Sequence, residues 1–227
     1  MRHPANDPSP QIEVRIWDQP TRLFHWSLVI LVAVLWLSGE FGKLDIHMKL
    51  GVWALALLVF RLMWGVVGSP TARFAQFVRG PAAIRDYLAA ARSGAVRSVG
   101  HNPLGALSVL ALLGLLTAQA TTGLFTTDDI FTNGPLVGKV SSKTAALLSS
   151  LHRLGGKLLL ALVGVHLAAV AFYTLVKKDD MIRAMITGTK RVPEGVEGIR
   201  FAHPLLAVAV AAIACAVVWG GLLLAGG

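Results

Sequence analysis

With one cysteine in 227 residues, Cys215, the chain can form no intramolecular disulfide and has no paired-thiol motif for covalent attachment of a cofactor. Charge is equally scarce: charged residues make up 15% of the chain and hydrophobic ones 55%, and the mean hydropathy is +0.65. These values exclude an ordinary soluble domain. Acidic residues are the rarer kind, 12 against 21 Lys and Arg, and the resulting +9 would suggest nucleic acid only in a soluble chain. No internal repeat, nucleotide-binding glycine fingerprint or catalytic-triad pattern occurs. No cleavable leader is expected, because Ser38-Gly39-Glu40-Phe41 is a poor small-x-small site after the first apolar run.

Apolar length is what the chain does have. Five segments are long enough to span a bilayer: Leu23 to Leu37, Leu50 to Val67, Leu104 to Phe125, His152 to Val176 and Leu205 to Ala225. The first is short, but Trp17, Pro20 and Thr21 can start its helix earlier. The expected fold is therefore an all-α integral membrane protein, a four-helix transmembrane bundle plus a fifth, C-terminal transmembrane helix. Its expected divisions are a flexible tail over residues 1–13, the bundle over 14–190, and a linker with the extra helix over 191–227. Lys and Arg number fourteen on the side of the N-terminus and three (Lys43, Lys139, Lys143) on the other, the remaining four lying within or at the ends of helices. That bias predicts a cytoplasmic N-terminus and a periplasmic C-terminus. Pro81 to Arg92 opens on proline and repeats apolar residues along one face, which predicts an interfacial helix on the inner leaflet.

His152 and His166 stand fourteen residues apart in one apolar helix, so roughly 40° separates them around its axis and roughly 21 Å along it. An ionisable group inside a membrane is costly unless it is paired or liganded. One helix thus offers an imidazole near each side of the bilayer. His25 begins the first span on the inner side and His47 begins the second on the outer side. Topology pairs His25 with His166 and His47 with His152, and two bis-histidine haems stacked across the membrane follow. Without a thiol attachment these are non-covalent, b-type haems. Arg61, inside the second span, calls for a propionate partner or a snorkelling path. Arg153 and Lys157, beside His152, are placed to neutralise outer propionates or to anchor the helix at the interface. His101 is read as interfacial, and His3 and His203 as having no ligand role. Gln119, Thr121 and Thr122 are polar enough to line a quinone site, or to bond between helices.

Arg22-Leu-Phe-His-Trp, His47, Arg61-Leu-Met-Trp-Gly, Gly100-His-Asn-Pro-Leu-Gly and the His152/His166 pair resemble the bacterial cytochrome b561 family, over about Val14 to Lys190. That family includes the cytochrome b subunits of membrane nickel-iron hydrogenases. The resemblance implies two b haems in a four-helix bundle, ligated by His25, His47, His152 and His166, in a multi-pass protein of the bacterial inner membrane. It also implies electron exchange between the quinone/quinol pool and a redox partner, such as a periplasmic cytochrome c or a dehydrogenase or hydrogenase subunit. Nucleic acid is not an expected partner, and an oligomer is compatible with the sequence. Two alternatives remain: a quinone-linked oxidoreductase acting on superoxide or another small oxidant, with Arg153 and Lys157 steering an anion, and a haem-free membrane anchor of a complex. The connection from Thr126 to Ser150, the longest on the outer side, carries Asp128 and Asp129 and is the expected docking threshold for a partner.

Overall fold

The structure is a computed structural model that describes residues 11–92, 102–128, 132–193 and 198–226. His3, His101 and Asp129 lie outside the described residues. Strand β1 (Gln11–Arg15) leads into helices α1 (Gln19–Glu40) and α2 (Leu44–Val67), followed by the short α3 (Phe74–Phe77) and by α4 (Pro81–Arg92). Next come α5 (Pro103–Gly123), α6 (Ser142–Leu175), α7 (Met181–Thr187), strand β2 (Thr189–Pro193) and α8 (Pro204–Gly226). Helices α1, α2, α5, α6 and α8 are each long and apolar enough to cross a membrane. A 22-residue helix such as α1 reaches about 33 Å, close to the roughly 30 Å hydrocarbon thickness.

Local chemistry sets the helix ends. Asp18 caps α1 by accepting from the Thr21 amide at 2.8 Å, with proline in the first turn. Asn102 does the same for α5, accepting from Gly105 N at 2.7 Å. Helices α1 and α2 are joined by a tight turn in which Gly42 takes φ +65°, a conformation that favours glycine. Helix α6 is capped by Ser141, whose hydroxyl accepts from the Thr144 amide. It therefore starts ten residues before the expected His152 and takes up part of the Thr126 to Ser150 connection.

Helix α2 is the hub, packed against α1, α5 and α8, while α6 packs on α5. The core lies where these helices meet: Phe24 of α1, Leu58, Phe60 and Trp64 of α2, Leu113 and Leu116 of α5, Leu159 of α6, and Val210 and Ala214 of α8. Helix α8 presents Val210, Ala214 and Val218, four residues apart each time, to the interior, and its Trp219 meets Trp53 of α2 at 4.6 Å. The fifth span is thus seated on a core helix. Much of the outer apolar surface, including Leu23, Ile30, Val165 and Leu223, remains exposed, as lipid-facing positions require.

One end of the bundle carries the α1–α2 turn and the α5–α6 connection (the hairpin end). The other, the sheet end, carries β1 and β2, paired antiparallel from Gln11 opposite Pro193 to Arg15 opposite Thr189. Residues 11–13 are therefore part of a strand, where the sequence suggested a tail; residues 1–10 lie outside the described residues. Ile16, Trp17 and Ala184 form a small core beside this sheet, with Met185 and Ile199 packed against it.

Candidate functional site

His47 sits in the first turn of α2 and His152 in the third turn of α6. Their ring centres are 6.0 Å apart, with the planes at 86°. Both rings are half-buried. His47 Nδ1 lies 2.8 Å from the Leu35 carbonyl oxygen, and His152 Nδ1 lies 3.0 Å from that of Gln119. A carbonyl only accepts, so in each ring Nδ1 carries the proton and donates it, leaving Nε2 with the free lone pair. A metal-ligating histidine is commonly held in this way, its second nitrogen donating to a fixed acceptor.

Glycines give these rings their room. A Cβ on Gly39 would come within 3.2 Å of His47 Nδ1, and one on Gly123 within 3.0 Å of His152 Cε1. Helix α5 grips His152 further: Gln119 Nε2 donates to the His152 carbonyl at 2.9 Å, and Thr122 Oγ1 stands 3.4 Å from His152 Nδ1. The Gln119 amide occupies the space that a Cβ on Gly155 would fill. Gln119 and Thr122 thus both make contacts between helices, to His152.

At the sheet end, His25 of α1 and His166 of α6 lie close enough to interact electrostatically. His166 Nδ1 is 3.4 Å from Ser108 Oγ, while His25 Nδ1 is buried without a partner. The residues flanking His25 tie α1 to the end of α7: the Arg22 guanidinium bonds the Ile186 carbonyl, and Trp26 Nε1 donates to the Met185 carbonyl at 3.2 Å. Each histidine pair thus bridges α6 to α1 or α2, although α6 is not closely packed on either. Metal to imidazole nitrogen is about 2.0 to 2.1 Å in well-characterised zinc sites. A ring-centre separation of 6.0 Å is of the order of two such bonds plus the two ring radii, so the pair is close enough to share one metal ion. The donor set, two neutral imidazoles with free Nε2 atoms between incompletely packed helices, suits an iron porphyrin.

The family model for prokaryotic cytochrome b561 matches residues 16–188, which is most of the chain. The chain belongs to the prokaryotic cytochrome b561 family. No curated protein matches it. It is accordingly a multi-pass membrane cytochrome b that binds haem b and transfers electrons, and the resemblance read from Arg22-Leu-Phe-His-Trp and the spaced histidines identified the right family.

Within this b561 bundle the cations differ sharply. Arg61 is only 3% exposed. Its guanidinium lies 4.9 Å from the Phe74 ring centre and 6.0 Å from that of Phe24, within electrostatic reach of Asp18, and one terminal nitrogen has no partner. The head group is thus enclosed by protein, between Phe24 and Phe74 and near Asp18, and is not open to solvent. Arg153 is exposed, close enough to His152 to interact electrostatically, and donates to Ser150 Oγ at 3.2 Å. Lys157 is exposed one turn further along. Asp128 accepts from the Thr132 amide at 2.7 Å and so shapes the turn it sits in.

Sequence reasoning passed over Asp18, which is 3% exposed and accepts from Trp64 Nε1 at 3.0 Å as well as capping α1. Its position before Pro20 was a legible cap signal. Ser38 and Ser108, near His47 and His166, left no comparable mark.

Proposed function

We propose that this b561 protein carries two haems, one ligated by His47 and His152 and the other by His25 and His166, and passes electrons between the quinone/quinol pool and a redox partner. The partner would be a periplasmic cytochrome c or a dehydrogenase or hydrogenase subunit. The observation that carries this reading is the presence of two imidazole pairs at two levels of one bundle, separated along α6 by roughly 21 Å. A bound haem supplies an iron that exchanges one electron at a time.

The chain's own contribution is positional and electrostatic. The Leu35 and Gln119 carbonyls fix two ligand rings with Nε2 free. Lipid-facing apolar side chains keep water from the helices, and the cations serve propionates: Arg153 and Lys157 at the hairpin end, Arg61 at the sheet end. The Lys and Arg bias supports a cytoplasmic sheet end and a periplasmic hairpin end. The hairpin-end pair is then the port for the partner, with the 124–141 connection as its threshold.

Pyridine haemochrome analysis of purified, intact protein tests the reading. Two haems b per chain are expected, with His166→Ala removing chiefly the sheet-end haem and His152→Ala chiefly the hairpin-end one. One haem or none in folded protein would sink it.

A further inference from the structure

The two histidine pairs are held by unlike acceptors, and the difference runs the same way for both members of each pair. At the hairpin end both Nδ1 protons go to amide carbonyls, at 2.8 Å for His47 and 3.0 Å for His152. Ser38 Oγ at 3.5 Å and Thr122 Oγ1 at 3.4 Å add weak second contacts. At the sheet end His166 has a serine hydroxyl at 3.4 Å and His25 has nothing. An N–H bond to a strong acceptor makes an imidazole a more basic, more electron-donating ligand, and such a ligand favours the more highly charged ferric iron.

We propose that the hairpin-end pair, His47 and His152, forms the low-potential haem site and the sheet-end pair, His25 and His166, the high-potential one. The inference rests on the two-haem reading. The charges favour neither site, because the buried Arg61 near the sheet end stands within reach of the equally buried Asp18 carboxylate, and Arg153 near His152 is exposed and screened by water and salt. Burial does not discriminate, since all four rings are half-buried.

Gln119 is the positioning residue on which the asymmetry turns. Its side-chain amide clamps the His152 carbonyl while its own carbonyl accepts the His152 proton, so the two helices are held in register at the ligand. An electron entering at the hairpin end therefore moves downhill to the sheet end. With the sheet end inside the cell, that step carries negative charge against an inside-negative membrane potential, and the difference in haem potential offsets the work.

Potentiometric titration of the haem absorbance in the intact protein, with haem content measured on each sample, tests this. Two components are expected, differing at least tenfold in their reduction equilibrium, which is 59 mV for a one-electron couple. His166→Ala should abolish the high component and His152→Ala the low one. Gln119→Ala, which leaves both ligands in place, should raise the low component alone and alter the low-spin ferric signal in electron paramagnetic resonance, while Ser108→Ala leaves that component where it is. Two haems with the low component lost in His166→Ala, two components closer than tenfold, or a Gln119→Ala shift that is absent or confined to the high component would each overturn the assignment while leaving the two-haem reading intact. A single haem per chain in the unsubstituted protein would overturn both.

Discussion

Replacing Asp18 tests how α1, and with it His25, is held in place. The carboxylate is buried and has three duties: it caps α1 through the Thr21 amide, accepts from Trp64 Nε1, and stands near the buried guanidinium of Arg61. Asp18→Ala removes the cap, worth about 1 kcal/mol, and strands an indole N–H on a fully buried ring, at about 1 to 3 kcal/mol. Arg61 also loses its nearby anion, and breaking a buried pair costs about 3 to 5 kcal/mol. No direct ion pair joins the two, so only part of that last figure applies. The terms share groups and do not add fully; a total of about 3 to 5 kcal/mol is expected. Asp18→Asn keeps one acceptor oxygen but turns an N–H₂ toward one of the two donors, and should cost about half as much. Reversible denaturation in mixed micelles, followed by Trp fluorescence and haem absorbance, reads both. A loss under about 0.5 kcal/mol for Asp18→Ala, the range of an ordinary surface change, would refute the argument.

Gly123→Ala places a methyl group 3.0 Å from His152 Cε1; the ring, pinned by Gln119, must move, and a shifted hairpin-end haem spectrum with about 1 to 3 kcal/mol of lost stability is expected, measured by low-temperature absorbance and denaturation. Tyr87 and Tyr173 are the chain's two tyrosines, and their hydroxyls meet at 3.0 Å. Burial first, then the bond to Tyr173, pushes the Tyr87 phenol above its ordinary value. Because its folded-state pKa is raised, the stability it contributes is complete below the unfolded value near pH 10 and is lost as pH climbs from there toward the folded value. Absorbance titration near 295 nm should show one late-ionising tyrosine that comes down, though not fully, in Tyr173→Phe. Reporter fusions at Ala89 and Val140 should label inside and outside respectively, and the reverse labelling would invert the orientation drawn from the Lys and Arg bias.

The spans and the histidine register were legible because both are periodic signals: apolar runs of bilayer length, and fourteen residues between His152 and His166 on one face. The helix from Pro81 to Arg92 was readable from its opening proline and its apolar face. The early start of α6 was not, since Ser141 to Ser150 is too polar to register as a span even though Ser141 is a sound cap. The β1–β2 sheet was missed for another reason: five alternating residues, Gln-Ile-Glu-Val-Arg, say nothing of a partner strand far along the chain. Arg61 could be recognised as anomalous but not explained, because the rings around it, Phe24 and Phe74, come from two separate elements. The acceptors that orient His47 and His152 are backbone carbonyls, to which sequence reading is blind.

The sheet that joins Gln11 to Pro193 also fixes an order of assembly. Its first strand leaves the ribosome before any span, yet it has nothing to pair with until α7 and β2 have been made, after four of the five spans. Closing so long a loop is slow, since the entropy of bringing its ends together must be met before any ladder bond forms. The β1–β2 ladder is therefore a latch that can shut only once the start of α1 and the end of α6 have been brought to the same end of the bundle.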